Sequence, residues 1–201
     1  MFQSVRYKII VTMFAICLLP SKLGAQATIE NYNSVTDSRL IDPEDHNWLS
    51  YRGTLDGWGF SKLGQINADN VSDLEPVWSF STGVLGGHES PPIVNDGVMF
   101  ITTPGNLLYA IEAATGDLLW RYQHNLPENY IAFHRTNRGV ALYGDKVYMA
   151  TLDARVVALD ASTGEKVWDT TVQDNSFGYY ITMAPLAIDG KILVGTSGGE
   201  L

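Results

Sequence analysis

Cysteine is almost absent from these 201 residues: there is one, Cys17. Charge is scarce as well, at 17% of the chain, and basic charge scarcer still, with 13 Lys and Arg against 22 Asp and Glu for a net charge of −9. A lone cysteine excludes an internal disulfide framework and any cluster of thiolate ligands. The acidic balance argues against a general nucleic-acid binder, which needs clustered basic side chains to meet phosphates. Long apolar runs are missing except for one, so a chain that crosses a membrane several times is excluded too. What is present is an apolar fraction of 45% and an aromatic fraction of 11%, too much for a disordered chain. The length is ample for one domain with a real core and marginal for two.

The one apolar run covers residues 9–19 (IIVTMFAICLL). Arg6 and Lys8 precede it with no acid nearby, and Ala25-Gln26-Ala27 follows after Pro20. This order of basic, apolar and small-x-small segments predicts a secretory signal peptide over residues 1–27, cut after Ala27 or, alternatively, after Ala25. An eleven-residue run is too short to span a bilayer comfortably, and a buried N-terminal helix or strand is the rival reading. Cleavage takes away Cys17 and three of the thirteen basic residues, leaving ten basic against 22 acidic groups, net −12. An exported, acidic domain with no disulfide and no membrane span is the expectation.

The rest of the chain repeats itself. Residues 98–120 read VMFITTPGNLLYAIEAATGDLLW and residues 146–168 read KVYMATLDARVVALDASTGEKVW. At an offset of 48, Ala110, Thr115, Gly116 and Trp120 recur as Ala158, Thr163, Gly164 and Trp168, with Glu112 answered by Asp160. A third copy begins at Asp189-Gly190-Lys191, and an earlier partial copy surrounds Trp78 in PVWSFSTG.

Each copy breaks into short β-rich runs. In the first they are PPIV, VMFITT, LLYAIE and LLWRYQ, divided by Asn95-Asp96-Gly97, Pro104-Gly105-Asn106 and Ala114-Thr115-Gly116-Asp117. The Thr-Gly pair suits a tight turn, with a hydroxyl for the backbone and a residue free to take positive φ. The tryptophan four residues later has the area to pack one sheet on the next and an indole N–H to find a partner. Repeated four-stranded units of this length predict an all-β fold, a β-propeller of four-stranded blades. A polar lead-in (28–45) precedes the propeller segment (46–201), which holds about three and a half units and is expected to be the N-terminal part of a longer protein.

The pattern A-x-[DE]-x-x-T-G-x-x-x-W resembles the tryptophan-docking motif of quinoprotein alcohol dehydrogenases, which use pyrroloquinoline quinone (PQQ). His46-Asn47-Trp48, SKLGQINADNVSDLEPVWSFSTG (61–83), GHESPPIVNDGVMF (87–100), the segment 137–168 and APLAIDGKILVGTSGGE (184–200) are similar to that family in order and spacing. The resemblance implies an eight-bladed propeller with PQQ and a metal ion, Ca²⁺ or a lanthanide, oxidising small alcohols in the periplasm and passing electrons to a c-type cytochrome. By the same resemblance Glu89, Arg138 and Thr182 contact PQQ, the Ser197-Gly198-Gly199 turn lies along it, and Glu200 is the first metal-ligating carboxylate. Arginine's planar fork suits the cofactor's carboxylates, and a carboxylate is a hard donor fit for Ca²⁺. The catalytic base is expected beyond Leu201. His46, His88, His124 and His134 lack metal-ligand spacing and default to surface or packing roles.

One position departs from the family pattern. Adjacent cysteines stand a few residues before the arginine in many members, whereas here the residues are Ala132 and Phe133. Phe133 stacks on the quinone in their place, or that face stays open. Two rival functions remain: a non-enzymatic propeller scaffold built from similar repeats, and a PQQ dehydrogenase acting on sugars or polymeric alcohols.

Overall fold

The computed structural model describes residues 27–199, and the predicted signal peptide, Cys17 and Glu200 lie outside them. Two four-stranded antiparallel meanders dominate. The first runs β1 (Ile93–Asn95), β2 (Val98–Thr103), β3 (Leu107–Glu112) and β4 (Leu118–Gln123). The second runs β5 (Val140–Tyr143), β6 (Lys146–Ala150), β7 (Arg155–Asp160) and β8 (Lys166–Thr171). A two-stranded start of a third sheet follows, β9 (Leu186–Ile188) paired with β10 (Lys191–Leu193). The predicted runs and turns fall where the strands and hairpins are, except that Pro91 and Pro92 lie ahead of β1 and Asn95, read as turn, belongs to it. Even the irregularity repeats, because β3 and β7 each shift register at equivalent places, after Ala110 and after Ala158.

The tryptophans join the sheets. Trp120 on β4 is fully buried and donates from Nε1 to the carbonyl of Ala161, in the turn after β7, at 3.0 Å. Its indole lies so close on Gly164 that a Cβ there would sit 2.6 Å from the ring. Trp78 repeats the arrangement one unit earlier, donating to Ala113 at 3.0 Å and covering Gly116. Both glycines have φ above +70°, a backbone that L side chains rarely take. Thr163 does what the turn asks of it, its hydroxyl donating to Asp160 and accepting from the Glu165 N–H. Trp168 finds no such seat among the described residues and is 39% exposed. Residues 76–83, the earlier copy, form no paired strand among the described residues, although Trp78 docks like its counterparts.

The lead-in is a strap rather than a tail. Ala27 N–H bonds to Leu119, Ile29 N–H to Ser162, and Val35 forms a bridge with Gly144, so one segment touches both sheets. A short helix, α1 (Asp37–Ile41), is capped by the Thr36 hydroxyl, and Trp48 bridges to Val94 in β1. Val35, Leu40 and Leu49 from the strap complete a core of Phe100, Leu108, Trp120, Val147, Met149 and Val157.

Carboxylates fasten strap and sheets. Hydrogen bonds from Arg39 and then Asn47 hold Glu44 down to about 2. Those from Lys166 and Arg155 hold Asp169 to about 2. Between the sheets, burial pushes the buried Asp153 upward, but hydrogen bonds from His124 and Thr151 outweigh it and keep it below its usual range. A lowered folded-state value stabilises above the unfolded-state value and is lost as pH falls through the folded one. Stability is therefore expected to decline as pH drops from about 5 toward 2. Denaturant titrations across that range should show a shallower decline in Asp153→Asn, and an identical slope would remove Asp153 from the account.

Candidate cofactor site

The first strands of the sheets set the geometry, since β5 lies against both β2 and β9. Glu89 stands four residues before β1, Arg138 two before β5 and Thr182 four before β9. Each side chain thus leaves its sheet at the same end of the first strand. They meet there. Arg138 donates from Nη1 to the Thr182 hydroxyl at 2.5 Å, and its Nη2 lies 2.9 Å from Glu89 Oε2. The Arg138 backbone N–H also bonds to the Thr182 carbonyl at 2.9 Å, so two sheets fix the arginine at once.

The guanidinium is 38% exposed and the Glu89 side chain 42%. An ion pair this wet contributes about 1 kcal/mol at most. Its remaining N–H donors have no partner among the described residues, and the exposed guanidinium leaves donor capacity for a further acceptor. Two cavities flank it. One, of about 330 Å³, is apolar and lined by Leu49, Val140, Met183 and Pro185 beside Arg138. The other, of about 590 Å³, is a cleft lined by Trp48, Tyr51, Arg52, His88 and Glu89.

Ser197 reaches the site indirectly. It exchanges both backbone hydrogen bonds with Tyr180, at 2.8 and 3.0 Å, which brings the Ser197-Gly198-Gly199 turn beside the segment carrying Thr182. Among the described residues no hydrogen bond links this turn to Arg138 or Glu89. The four histidines do not converge either: His46 pairs with Asp96, His88 with Thr82 and His124 with Asp153, while His134 is exposed. No group of three or more His, Cys, Asp or Glu among the described residues is placed to hold a metal.

Sequence reasoning missed Asn137. Its side chain is buried, donates to Ala150 at 2.9 Å and Asn106 at 3.1 Å, and accepts from Thr102 at 2.9 Å and from the Gly139 N–H at 3.0 Å. These bonds lock the backbone on both sides of Arg138 to β2 and β6. The only sequence signal was its place in Asn-Arg-Gly, where the arginine drew the reading.

The described residues thus form a propeller arc of tryptophan-docked sheets with a part-exposed arginine at one end. The match to the PQQ glucose/ethanol/alcohol dehydrogenase β-propeller domain covers residues 48–198, and the chain belongs to that family. It is similar to the quinoprotein alcohol dehydrogenase PedH of Pseudomonas putida, 37% identical over 94% of this chain and 32% of that protein. Similarity to a quinoprotein ethanol dehydrogenase of Pseudomonas aeruginosa reaches 45% over 70% of this chain and 24% of that one. Among solved structures, quinohemoprotein alcohol dehydrogenase ADHIIG of P. putida matches with a TM-score of 0.77 and 37% identity, over 82% of this chain and 25% of that one. A europium-containing methanol dehydrogenase matches with a TM-score of 0.76 and 36% identity, over 82% of this chain and 29% of that one. The chain spans about a third or less of the length of these relatives.

Proposed function

We propose that the complete protein is a periplasmic quinoprotein that oxidises small alcohols, and that this chain supplies one arc of its PQQ site. The observation that carries the reading is the convergence of Arg138, Thr182 and Glu89 at one end of the first strands, inside a chain of the PQQ family. The donor set fits the group: a planar guanidinium fork for carboxylates and ring oxygens, a hydroxyl beside it, and a cleft large enough for a planar ligand. When bound, PQQ would supply a quinone that accepts two electrons from the alcohol.

The chain's own part is to bind and orient. Arg138 holds the anionic groups, Thr182 fixes the fork through its hydroxyl, and Glu89 keeps the guanidinium from turning to solvent. Buried Asn137 makes that arrangement rigid before any ligand arrives. A metal ion, Ca²⁺ or a lanthanide, with Glu200 as one carboxylate ligand, belongs to the same proposal. Similarity to a methanol dehydrogenase that contains europium supports a lanthanide as the alternative to Ca²⁺. A c-type cytochrome as electron acceptor is supported by the name of a relative, 1-butanol dehydrogenase (cytochrome c) of Thauera butanivorans.

The test is a PQQ titration of the complete protein. Losing a charge-assisted contact costs on the order of 1.5–3 kcal/mol, so Arg138→Ala should weaken PQQ binding about ten- to a hundredfold. Unchanged affinity in that variant would refute the assignment.

A further inference from the structure

Arg52 is a cation without a counter-charge in the larger of the two cavities beside the site. It lines the cleft of about 590 Å³ that Glu89 also lines, yet among the described residues its guanidinium makes no hydrogen bond and no ion pair. The acids nearby are engaged elsewhere. Glu89 pairs with Arg138 at 2.9 Å. Asp56, the only acid of residues 50–59, accepts from the Thr54 hydroxyl and lies 3.5 Å from the Trp58 N–H donor atom. His88, on the same cleft, turns its ring nitrogens to the Thr82 hydroxyl and the Gly86 carbonyl. Two guanidinium groups thus share a neighbourhood with one carboxylate, and a positive charge is left unmatched there in a chain of net charge −9.

The fold carries Arg52 to this place deliberately tightly. Trp48 and Val94 exchange both backbone hydrogen bonds at 2.9 Å. Because that bridge is antiparallel, the residues after Trp48 run back beside those before Val94, which brings Arg52 and Glu89 to one cleft. The loop then closes on itself. The Gly53 N–H bonds to the Ser50 carbonyl at 3.0 Å, and the Gly59 N–H to the Arg52 carbonyl at 2.9 Å. Gly53 sits so close on the Trp48 ring that a Cβ would meet it at 3.0 Å, in a residue with φ of +86°. The Arg52 Cζ lies 5.8 Å from the Tyr51 ring centre, near enough for the ring face to attract the cation and restrict its swing. Tyr51 borders both cavities, so the cleft holding Arg52 adjoins the cavity that Arg138 lines.

We propose that Arg52 binds a carboxylate of PQQ, on an edge of the cofactor that Arg138 does not hold; this rests on the reading of the site as a PQQ site. PQQ is rigid and planar, with carboxylates on more than one edge, so a single arginine cannot take them all. A ligand gripped by one fork is free to pivot about it. A second guanidinium, carried by a different element, fixes the ring within its plane and supplies the charge that the second carboxylate requires. The role is binding and orientation, and it uses donors that the folded chain does not use itself.

The complete protein, freed of PQQ, is titrated with PQQ at low and at physiological ionic strength, beside Arg52→Gln and Arg138→Ala. Arg52→Gln should weaken binding about three- to tenfold at low salt. Its affinity should also fall less than the parent's as salt is raised, because one of the screened charge contacts is gone. The melting temperature of PQQ-free Arg52→Gln should equal the parent's, since this guanidinium holds no part of the fold by a hydrogen bond. Parent-like affinity in Arg52→Gln, beside a weakened Arg138→Ala, would overturn this inference and leave the PQQ reading standing. Weakened binding with the parent's full salt dependence, or with a lowered melting temperature, would overturn it as well, making Arg52 a support of the loop. No binding by the parent protein would remove the PQQ reading and this inference together.

Discussion

Trp120→Ala is expected to cost about 3–5 kcal/mol, the range for deleting a fully buried large aromatic. Its side chain has no exposed surface, packs on Phe100 with ring centres 5.8 Å apart, and seals the seam between the two sheets. Truncation opens a cavity there and leaves the Ala161 carbonyl without the donor it has at 3.0 Å. That orphaned acceptor adds a penalty of about 1–3 kcal/mol within the total. Trp120→Phe separates the two contributions, because it keeps most of the apolar contact and loses only the N–H. It should recover more than half of the lost stability. Equilibrium urea unfolding measures both variants, and a loss below about 1 kcal/mol in Trp120→Ala would mean that the sheets are joined by something else.

Gly164→Ala attacks the same joint from the other side, with an expected cost of about 2–4 kcal/mol. The added methyl meets Trp120 Cε3 at 2.6 Å and Cδ2 at 2.7 Å, in a residue with φ of +73°. Neither the indole nor the turn has room to yield, as the turn is fixed by Gly164 N–H to Asp160 and by the Thr163 hydroxyl. The decisive measurement is the double variant. With Trp120 already alanine the collision is gone, and only the backbone strain of about 1–2 kcal/mol should remain. Strict additivity of the two losses would show that the glycine is required for a reason unrelated to the tryptophan.

The sheets were legible because the same signals occur twice. β-rich runs, hairpin residues and the Ala, Thr, Gly and Trp positions recur at an offset of 48, and a repeated signal is hard to mistake for chance. The docking of Trp120 followed from that pattern, down to its N–H finding a partner. The strap was not legible, since it joins the sheets by isolated bridges and single backbone bonds at Ala27, Ile29, Val35 and Trp48, which impose no periodicity. Glu89, Arg138 and Thr182 were legible only through a resemblance. Taken one at a time each is an ordinary polar residue, and nothing local announces that they meet. Their convergence was nonetheless implicit in the repeat, because each lies just ahead of the first strand of its own unit. Half of the bonds made by the Asn137 side chain go to backbone groups, which every residue possesses, so its sequence neighbourhood carries little trace of those partners.

The strap also governs the order in which the molecule can be finished. Asp37 accepts from the Tyr143 hydroxyl, 106 residues downstream, and from the Asp189 N–H, 152 residues downstream. Each four-stranded meander closes on neighbours in sequence and can form as soon as its own residues are available, whereas contacts of this separation must wait and bear a larger loop-closure entropy. Among the described residues, those made first are therefore among the last to be seated. Until they are, the core positions that Val35, Leu40 and Leu49 fill stand uncovered. The nascent chain is thus expected to pass through a stage in which both sheets exist but their shared apolar surface is bare, a window for aggregation that closes only when the strap is seated.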